Sequence, residues 1–267
     1  MRISLSWLRD FIDTAWDAKE LGRRLTMSGF ELEALDKAAP PFVGVVVAEI
    51  VEAVKHPQAE KLQVCKVRAG AHGKQEELLQ IVCGAANARA GLKTALATVG
   101  AKLPGDKAIG AAKLRGVESF GMLASAKELG LADASEGIIE LPADAPVGTD
   151  LRAYLQLDDD ILELNVTPNR GDAMSVLGIA REVAALAKSP VKNESIAGKA
   201  APSLADTFPV KLTHAVGCPK LVSRVVRGID NKAPSPVWMR ERLRRAGLRP
   251  ISPIVDVTQY VMLELGQ

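Results

Sequence analysis

The sequence predicts an α+β chain in which a compact many-stranded unit interrupts a helix-bearing one, and three observations carry that prediction. Between Phe42 and Pro142, short β-branched or alternating runs are separated by Gly/Pro turns, whereas the stretches on either side place apolar residues at helical spacing. Neither flank can bury its apolar face alone: the first reads as two short helices, the second as one strand and one helix. The flanks are therefore expected to pack on each other, making residues 41–141 an insertion in a discontinuous domain of 1–40 and 142–190. A stretch rich in Pro, Ala, Ser, Lys and Gly at 191–206 reads as a linker, and 207–267 as the first part of a further unit.

Taken in order, residues 4–35 read as helical. Leu5, Leu8 and Phe11 or Ile12 recur at helical spacing, Asp17-x-x-Glu20 has a capping pattern ahead of Leu21 and Leu25, and Ser28-Gly29 ends the helix. Trp7 and Trp16 read as core anchors. Val43 to Val54 is a β-branched run that stops at His56-Pro57, where proline withdraws a ladder donor. Lys61 to Val67 alternates, with Leu62, Val64 and Lys66 on one face and Lys61, Gln63, Cys65 and Val67 on the other. Leu78 to Cys83 and Lys93 to Val99 supply two more strands, the latter followed by the turn-rich Gly100 to Asp106. Such strands suit a small, partly open Greek-key barrel such as the OB-fold, although periodicity alone does not separate it from a sandwich.

Beyond this unit, Ile161 to Val166 alternates as a strand. Asp172 is placed to cap a helix whose stripe is Val176, Leu177, Ala180, Val183, Ala184 and Ala187, and Arg170 with Asp172 reads as a turn-stabilising ion pair rather than a catalytic one. Strands are expected at Phe208 to Leu212 and around Leu221 to Val226. Ser235-Pro236 then caps and opens a helix that Gly247 closes. Trp238, Met239, Leu243 and Ala246 give it an apolar side, and Arg240, Arg242, Arg244 and Arg245 read as a solvated basic face.

Composition narrows the function. Only 4% of the 267 residues are aromatic, so stacking platforms are scarce and a bound RNA would be held through phosphates and shape. Net charge is +2, but between Lys55 and Arg115 there are 11 Lys/Arg against four acidic residues (Glu60, Glu76, Glu77, Asp106), an excess of seven that acidic flanks offset. A polarised small β unit suits an anionic partner, of which phosphate backbones are the commonest. No apolar run approaches the roughly 20 residues of a membrane span, and Met1-Arg2-Ile3-Ser4 begins no signal peptide. Cys65, Cys83 and Cys218 are few and scattered, consistent with a reducing cytoplasm, and with His56, His72 and His214 they show no metal-ligand spacing. Gly91-Leu92-Lys93-Thr94 lacks the first glycine and the adjacent Gly-Lys of a phosphate loop, and no nucleophile elbow occurs, so no catalytic residue is assigned.

Three separated patches carry a resemblance: His56-Pro-x-Ala-x-Lys-Leu62, Ile81-Val-Cys-Gly-Ala-x-Asn87 and Leu114-Arg-Gly-Val-Glu-Ser-x-Gly-Met-Leu123. In that order they resemble the tRNA-binding OB domain shared by several aminoacyl-tRNA synthetases and free tRNA-binding proteins. Ser125-Ala-Lys-Glu-Leu-Gly-Leu131 narrows the resemblance to the bacterial phenylalanine-tRNA ligase beta-chain family. Asn165 to Asp172 and Ser175 to Val183 look like its matching half, and Val255 to Gln267 like its editing-domain motif. Three kinds of departure are visible: the family usually has Asp where Gln58 and Glu60 stand, often Cys at Ala124, and Asn at Gln259.

The resemblance implies an OB-fold barrel at 41–141, the start of an editing domain at 207–267 that ordinarily continues past Gln267, and a tRNA surface. That surface takes in Lys55, His56, Lys61, Asn87, Arg89, Lys93, Lys113, Arg115, Ser119 and Met122. It implies Thr258 in the editing pocket and an alpha-chain partner, in an alpha2-beta2 tetramer, that holds the adenylation site. ATP and magnesium then belong to the parent enzyme, no cofactor or metal to this fragment, and the fragment alone is expected to be catalytically inactive. The rival reading is a stand-alone tRNA-binding or interaction module. Such a module should end soon after residue 142, whereas 125 residues follow here with motifs of their own.

Overall fold

A computed structural model describes residues 1–70, 78–192 and 203–267. Strand β1 (Arg2–Ser4) runs directly into α1 (Leu5–Leu8), where Ser4 Oγ accepts from the Trp7 amide at 3.2 Å. Helix α2 (Ala18–Met27) begins as its capping pattern requires, with Asp17 accepting from the Glu20 amide at 2.8 Å. Hydrogen bonds from Arg23, then Arg24, hold the Glu20 carboxyl down at about 2. The helix ends at Ser28, and Gly29 supplies the left-handed turn at φ 98°. Here the helical reading of residues 4–35 overreaches, because β2 (Glu31–Lys37) follows at once; Glu-Leu-Glu-Ala-Leu-Asp-Lys alternates half-buried and exposed side chains at its start.

The described residues of the inserted unit form eight strands: β3 (Val43–His56), β4 (Ala59–Arg68), β5 (Leu79–Cys83), β6 (Lys93–Leu103), β7 (Lys107–Ala108), β8 (Ala112–Leu114), β9 (Val117–Ser119) and β10 (Met122–Ala124). Five of them form an antiparallel sheet in the order β10-β6-β3-β4-β5, with β7 added to β6, while β8 and β9 pair only with each other. Gly100 to Asp106 is not all turn. Gly100, at φ 90°, lets β6 continue to Leu103, and the turn is confined to residues 104–106.

The ladder does not close, so the sheet is not a sealed barrel. Its two ends are nonetheless drawn together, with the Phe120 amide donating to Gln80 O at 2.8 Å and the Val82 amide to Ser119 Oγ at 3.0 Å. Strand β3 is apolar without alternation because both its faces are covered. Val45 and Val47 pack with Leu103, Leu129 and Leu151, whereas Val46, Ala48 and Ile50 pack with Val67, Ile81 and Leu96. Each such side chain, fully removed from water, contributes about 1.5–3 kcal/mol.

The chain then adds α3 (Leu151–Tyr154), β11 (Asp160–Asn165), a 3-10 turn (Pro168–Ala173) and α4 (Val176–Ala187). Strand β11 lies between β1 and β2, antiparallel to both. One apolar cluster combines Ile3, Trp7, Leu21, Leu25 and Phe30 with Leu162, Leu164, Val176, Ile179 and Val183. The cap of α4 is Ser175, whose Oγ accepts from Gly178 N–H at 2.9 Å, and not Asp172. Asp172 instead pairs with Arg170 at 3.0 Å; Arg170 also bonds Glu182 and lies 4.6 Å over the Phe30 ring. Most of the expected linker falls outside the described residues, but its first two are tied down: Val191 bridges Ile12, and Lys192 Nζ reaches Asp13 at 2.7 Å.

Three expectations for the last unit are overturned in whole or in part. Phe208 to Leu212 and Leu221 to Val226 form no strand, since no segment among the described residues offers them a ladder and Phe208, Val222 and Val226 stay exposed. The basic face of α5 (Val237–Arg245) is solvated only at Arg240. Arg245 is buried against Asp159, Arg244 Nη2 donates to Ala38 O at 2.9 Å, and Arg242 bonds Asp10 and Tyr260. Ser235 makes no cap; its hydroxyl bonds Asp256 at the start of α6 (Pro253–Leu265). Tyr260 of α6 stacks on Trp7 with centroids 5.0 Å apart, so α6 sits on the first core.

Candidate nucleic-acid interface

The candidate surface is organised where the β3–β4 turn meets the β8–β9 hairpin. Pro57 stops β3 from continuing its ladder, and the chain reverses so that His56 faces Ala59 across the strands. His56 is buried and engaged at both ring nitrogens: Nδ1 accepts from Gln58 N–H at 3.1 Å, and Nε2 faces Leu114 O at 3.1 Å. An amide can only be accepted by a bare nitrogen and a carbonyl can only be met by N–H, so this is the neutral ring protonated at Nε2. His56 is therefore a pin between two elements and not a surface contact.

The pin gathers charge. Lys55 adjoins His56, Lys113 and Arg115 flank Leu114, and Lys61 follows two residues after the turn. Among the described residues these four cations have no ion pair or side-chain hydrogen bond. Arg115 and Gly116 take φ values of 48° and 86°, the left-handed pair that a two-residue hairpin turn demands.

The other expected contacts are spent within the fold. Arg89 makes a bidentate pair with Glu140, both bonds 2.8 Å, which holds the Glu140 carboxyl down at about 2. Asn87 donates to Ile138 O at 2.9 Å and accepts from the Ile138 amide at 3.1 Å, fastening the loop after β5 to residue 138. Lys93 Nζ donates to Ala145 O at 2.7 Å. Ser119 is buried between the Val82 amide and Gly121 O, and Met122 packs against the core on the outer face of the sheet. Their polar and apolar contacts within the fold hold the surface in shape.

What the residue pattern missed is a groove of about 490 Å³ beside the pin, lined by Ala53, Lys55, Lys61, Leu62, Gly84 and Ala86 among others. Small side chains carry no charge signal, so nothing in composition marked them. Thr258, expected in an editing pocket, lies exposed on α6 with its hydroxyl bonded to Val255 O at 2.7 Å within the same helix. No group of three or more His, Cys, Asp or Glu among the described residues is placed to hold a metal, and no helix is long and apolar enough to cross a membrane.

A family model described as "Putative tRNA binding domain" matches residues 45–150, the stretch that carries the pin, the hairpin and the groove. By fold and site, then, this is a chain with a tRNA-binding domain; a second model, the B3/4 domain, matches residues 217–267. Over all 267 residues the chain is 52% identical to the phenylalanine–tRNA ligase beta subunit of Pectobacterium atrosepticum and 55% identical to those of Aromatoleum aromaticum and Methylococcus capsulatus. Over its whole length the chain is similar to phenylalanine–tRNA ligase beta subunits, and it spans about a third (33%) of the length of the curated relatives it matches. Among solved structures, a MetRS related protein from Pyrococcus horikoshii covers 52% of this chain and 99% of its own, at 22% identity and a TM-score of 0.30, too low to carry an argument.

Proposed function

We propose that this chain is the tRNA-binding and assembly region of a phenylalanine–tRNA ligase beta subunit. It acts with an alpha subunit, in an alpha2-beta2 assembly of the cytoplasm, that attaches phenylalanine to its tRNA using ATP and magnesium. The observation that carries this reading is the placement of four cations, Lys55, Lys61, Lys113 and Arg115, unpaired among the described residues, around one buried contact inside the stretch matched by the tRNA-binding model. Cations at the edge of a small sheet meet phosphates without reading bases, so the contribution is affinity and orientation rather than sequence choice.

The same proposal takes the six-stranded sheet as an OB-type barrel, supported by the approach of Phe120 to Gln80 across its open seam. It takes 1–40 with 142–190 as one discontinuous domain, supported by their shared apolar cluster, and 207–267 as the beginning of an editing domain that includes Thr258. Thr258 is exposed and bonded only within its own helix, so no hydrolysis of mischarged tRNA is expected from these 267 residues.

The test is tRNA binding as a function of salt. Four neutralised phosphates give a slope of log affinity against log salt of about −3 to −4. Lys61→Ala should flatten it by about 1, and Arg89→Ala, whose guanidinium is already paired, should barely change it. Salt-independent binding, or none at low salt, would sink the proposal.

A further inference from the structure

The groove beside the His56 pin has a construction that phosphate binding alone does not need. After a register shift near Val51, β3 and β4 pair as Ala53↔Cys65 and Lys55↔Gln63. Side chains two apart share a face, so Lys55, Gln63 and Lys61 continue the face on which Cys65 is fully buried in the core. The inner face of these strands thus runs on past the end of the core and opens to solvent as the groove. Ala53 and Ala85, both packed on that core, form its apolar floor. Gly84 and Ala86 form its far side with almost no side chain, and Gly84 could not gain one freely, since a Cβ there would come within 3.3 Å of Leu62.

An RNA duplex presents phosphates and ribose on its outside and buries its bases. It would sit on Lys55, Lys61, Lys113 and Arg115 and leave an apolar hollow of about 490 Å³ unfilled. An unpaired nucleotide offers what the hollow matches: a flat apolar base for the floor and a charged phosphate for the two lysines at its rim. With no aromatic side chain lining it, the groove would hold a base by aliphatic contact and choose little among the four bases.

We propose that this groove is a subsite for an unpaired nucleotide of RNA, with Lys55 and Lys61 on its phosphates and its base against Ala53 and Ala85. The proposal rests on the RNA-binding reading above and narrows it to single-stranded or flipped-out segments. Glu60, also at the rim, is a carboxylate acceptor suited to a ribose hydroxyl.

The experiment measures fluorescence anisotropy of the full 267-residue chain at low salt with two labelled probes, an unstructured oligouridylate and a blunt RNA duplex of equal strand length. The oligouridylate should bind about tenfold more tightly than the duplex, although the duplex carries the higher charge density. Ala86→Leu, a neutral change at an exposed position that fills the hollow without altering its charge, should weaken oligouridylate binding tenfold or more and duplex binding less than threefold. Equal affinity for both probes, or equal weakening of both by Ala86→Leu, would overturn the subsite and leave general phosphate binding standing. Binding of neither probe would overturn the RNA-binding reading and the subsite with it. Thermal melting of Ala86→Leu within a degree or two of the parent distinguishes a local effect from misfolding.

Discussion

Arg245 on α5 and Asp159 just ahead of β11 meet at 3.0 Å with side chains only 4% and 3% exposed. The carboxylate also takes hydrogen bonds from the Ser4 and Ser6 hydroxyls and the Ser6 amide, while Arg245 Nη2 caps Leu155 O and Gln156 O. One buried pair thereby joins the helix of the last unit to three segments of the first. Removing one partner strands a buried charge, so Arg245→Met should cost about 3–5 kcal/mol in urea unfolding. It should also free α6 from Trp7 and shift tryptophan emission, because Trp7 stacks on Tyr260 and donates to Glu264 at 3.0 Å. A loss below about 1 kcal/mol with unchanged emission would show that α5 is not held this way.

His56 is expected to act on RNA without touching it. His56→Ala leaves the Gln58 amide and Leu114 carbonyl unpartnered, a loss of about 1–3 kcal/mol, and releases the hairpin that carries Lys113 and Arg115. Hydrogen exchange of the 112–119 amides should quicken and tRNA affinity should fall together. A fall in affinity with exchange unchanged would instead make His56 a direct contact.

Acid should weaken the clasp between Arg89 and Glu140. The folded carboxyl is held near 2, chiefly by the Arg89 hydrogen bond, against an ordinary 4.5. Because the folded state is the more acidic, the pair's contribution is complete above about pH 4.5 and is lost as pH falls toward 2. Both side chains are about half exposed (56% and 47%), so solvent screening keeps that contribution small. Glu140→Gln should lower the melting temperature at pH 7, and the gap should narrow steadily as the buffer is taken from pH 5 to pH 3. A gap that holds constant over that range would mean the loss is one of packing and not of charge.

The three thiols should separate by burial. Desolvation pushes the Cys65 thiol up to about 11 and raises Cys83 as well, and both lie in the core beneath the groove, whereas Cys218 is exposed. At pH 8 an aromatic disulfide reagent should titrate one thiol quickly in the native chain and all three only after unfolding. Rapid loss of two or more native thiols would show that the sheet opens at this end.

Much of the architecture could be read from local pattern. The Asp17 cap, the Ser28-Gly29 stop, the end of β3 at His56-Pro57 and the alternation of β4 are set by neighbouring residues, and the structure has each of them. The helical reading failed at β2 because Leu32, Ala34 and Leu35 carry too few apolar positions to distinguish periods, and what makes the segment a strand is β11, more than a hundred residues later. The strands expected at 208–212 and 221–226 failed for the converse reason: β-branched composition without a ladder partner does not hold an extended chain.

The residue types alone pointed to an anionic partner near residues 55–115, because charge and motif order are properties of the sequence as written. Only the tertiary structure decided which cations remain available. Arg89 is neutralised by Glu140, 51 residues away, and Arg245 by Asp159, 86 residues away, whereas Lys55, Lys61, Lys113 and Arg115 meet no such partner among the described residues. A side chain's charge is local, but its neutralisation depends on what folding brings within about 4 Å, where desolvation and Coulomb attraction are settled.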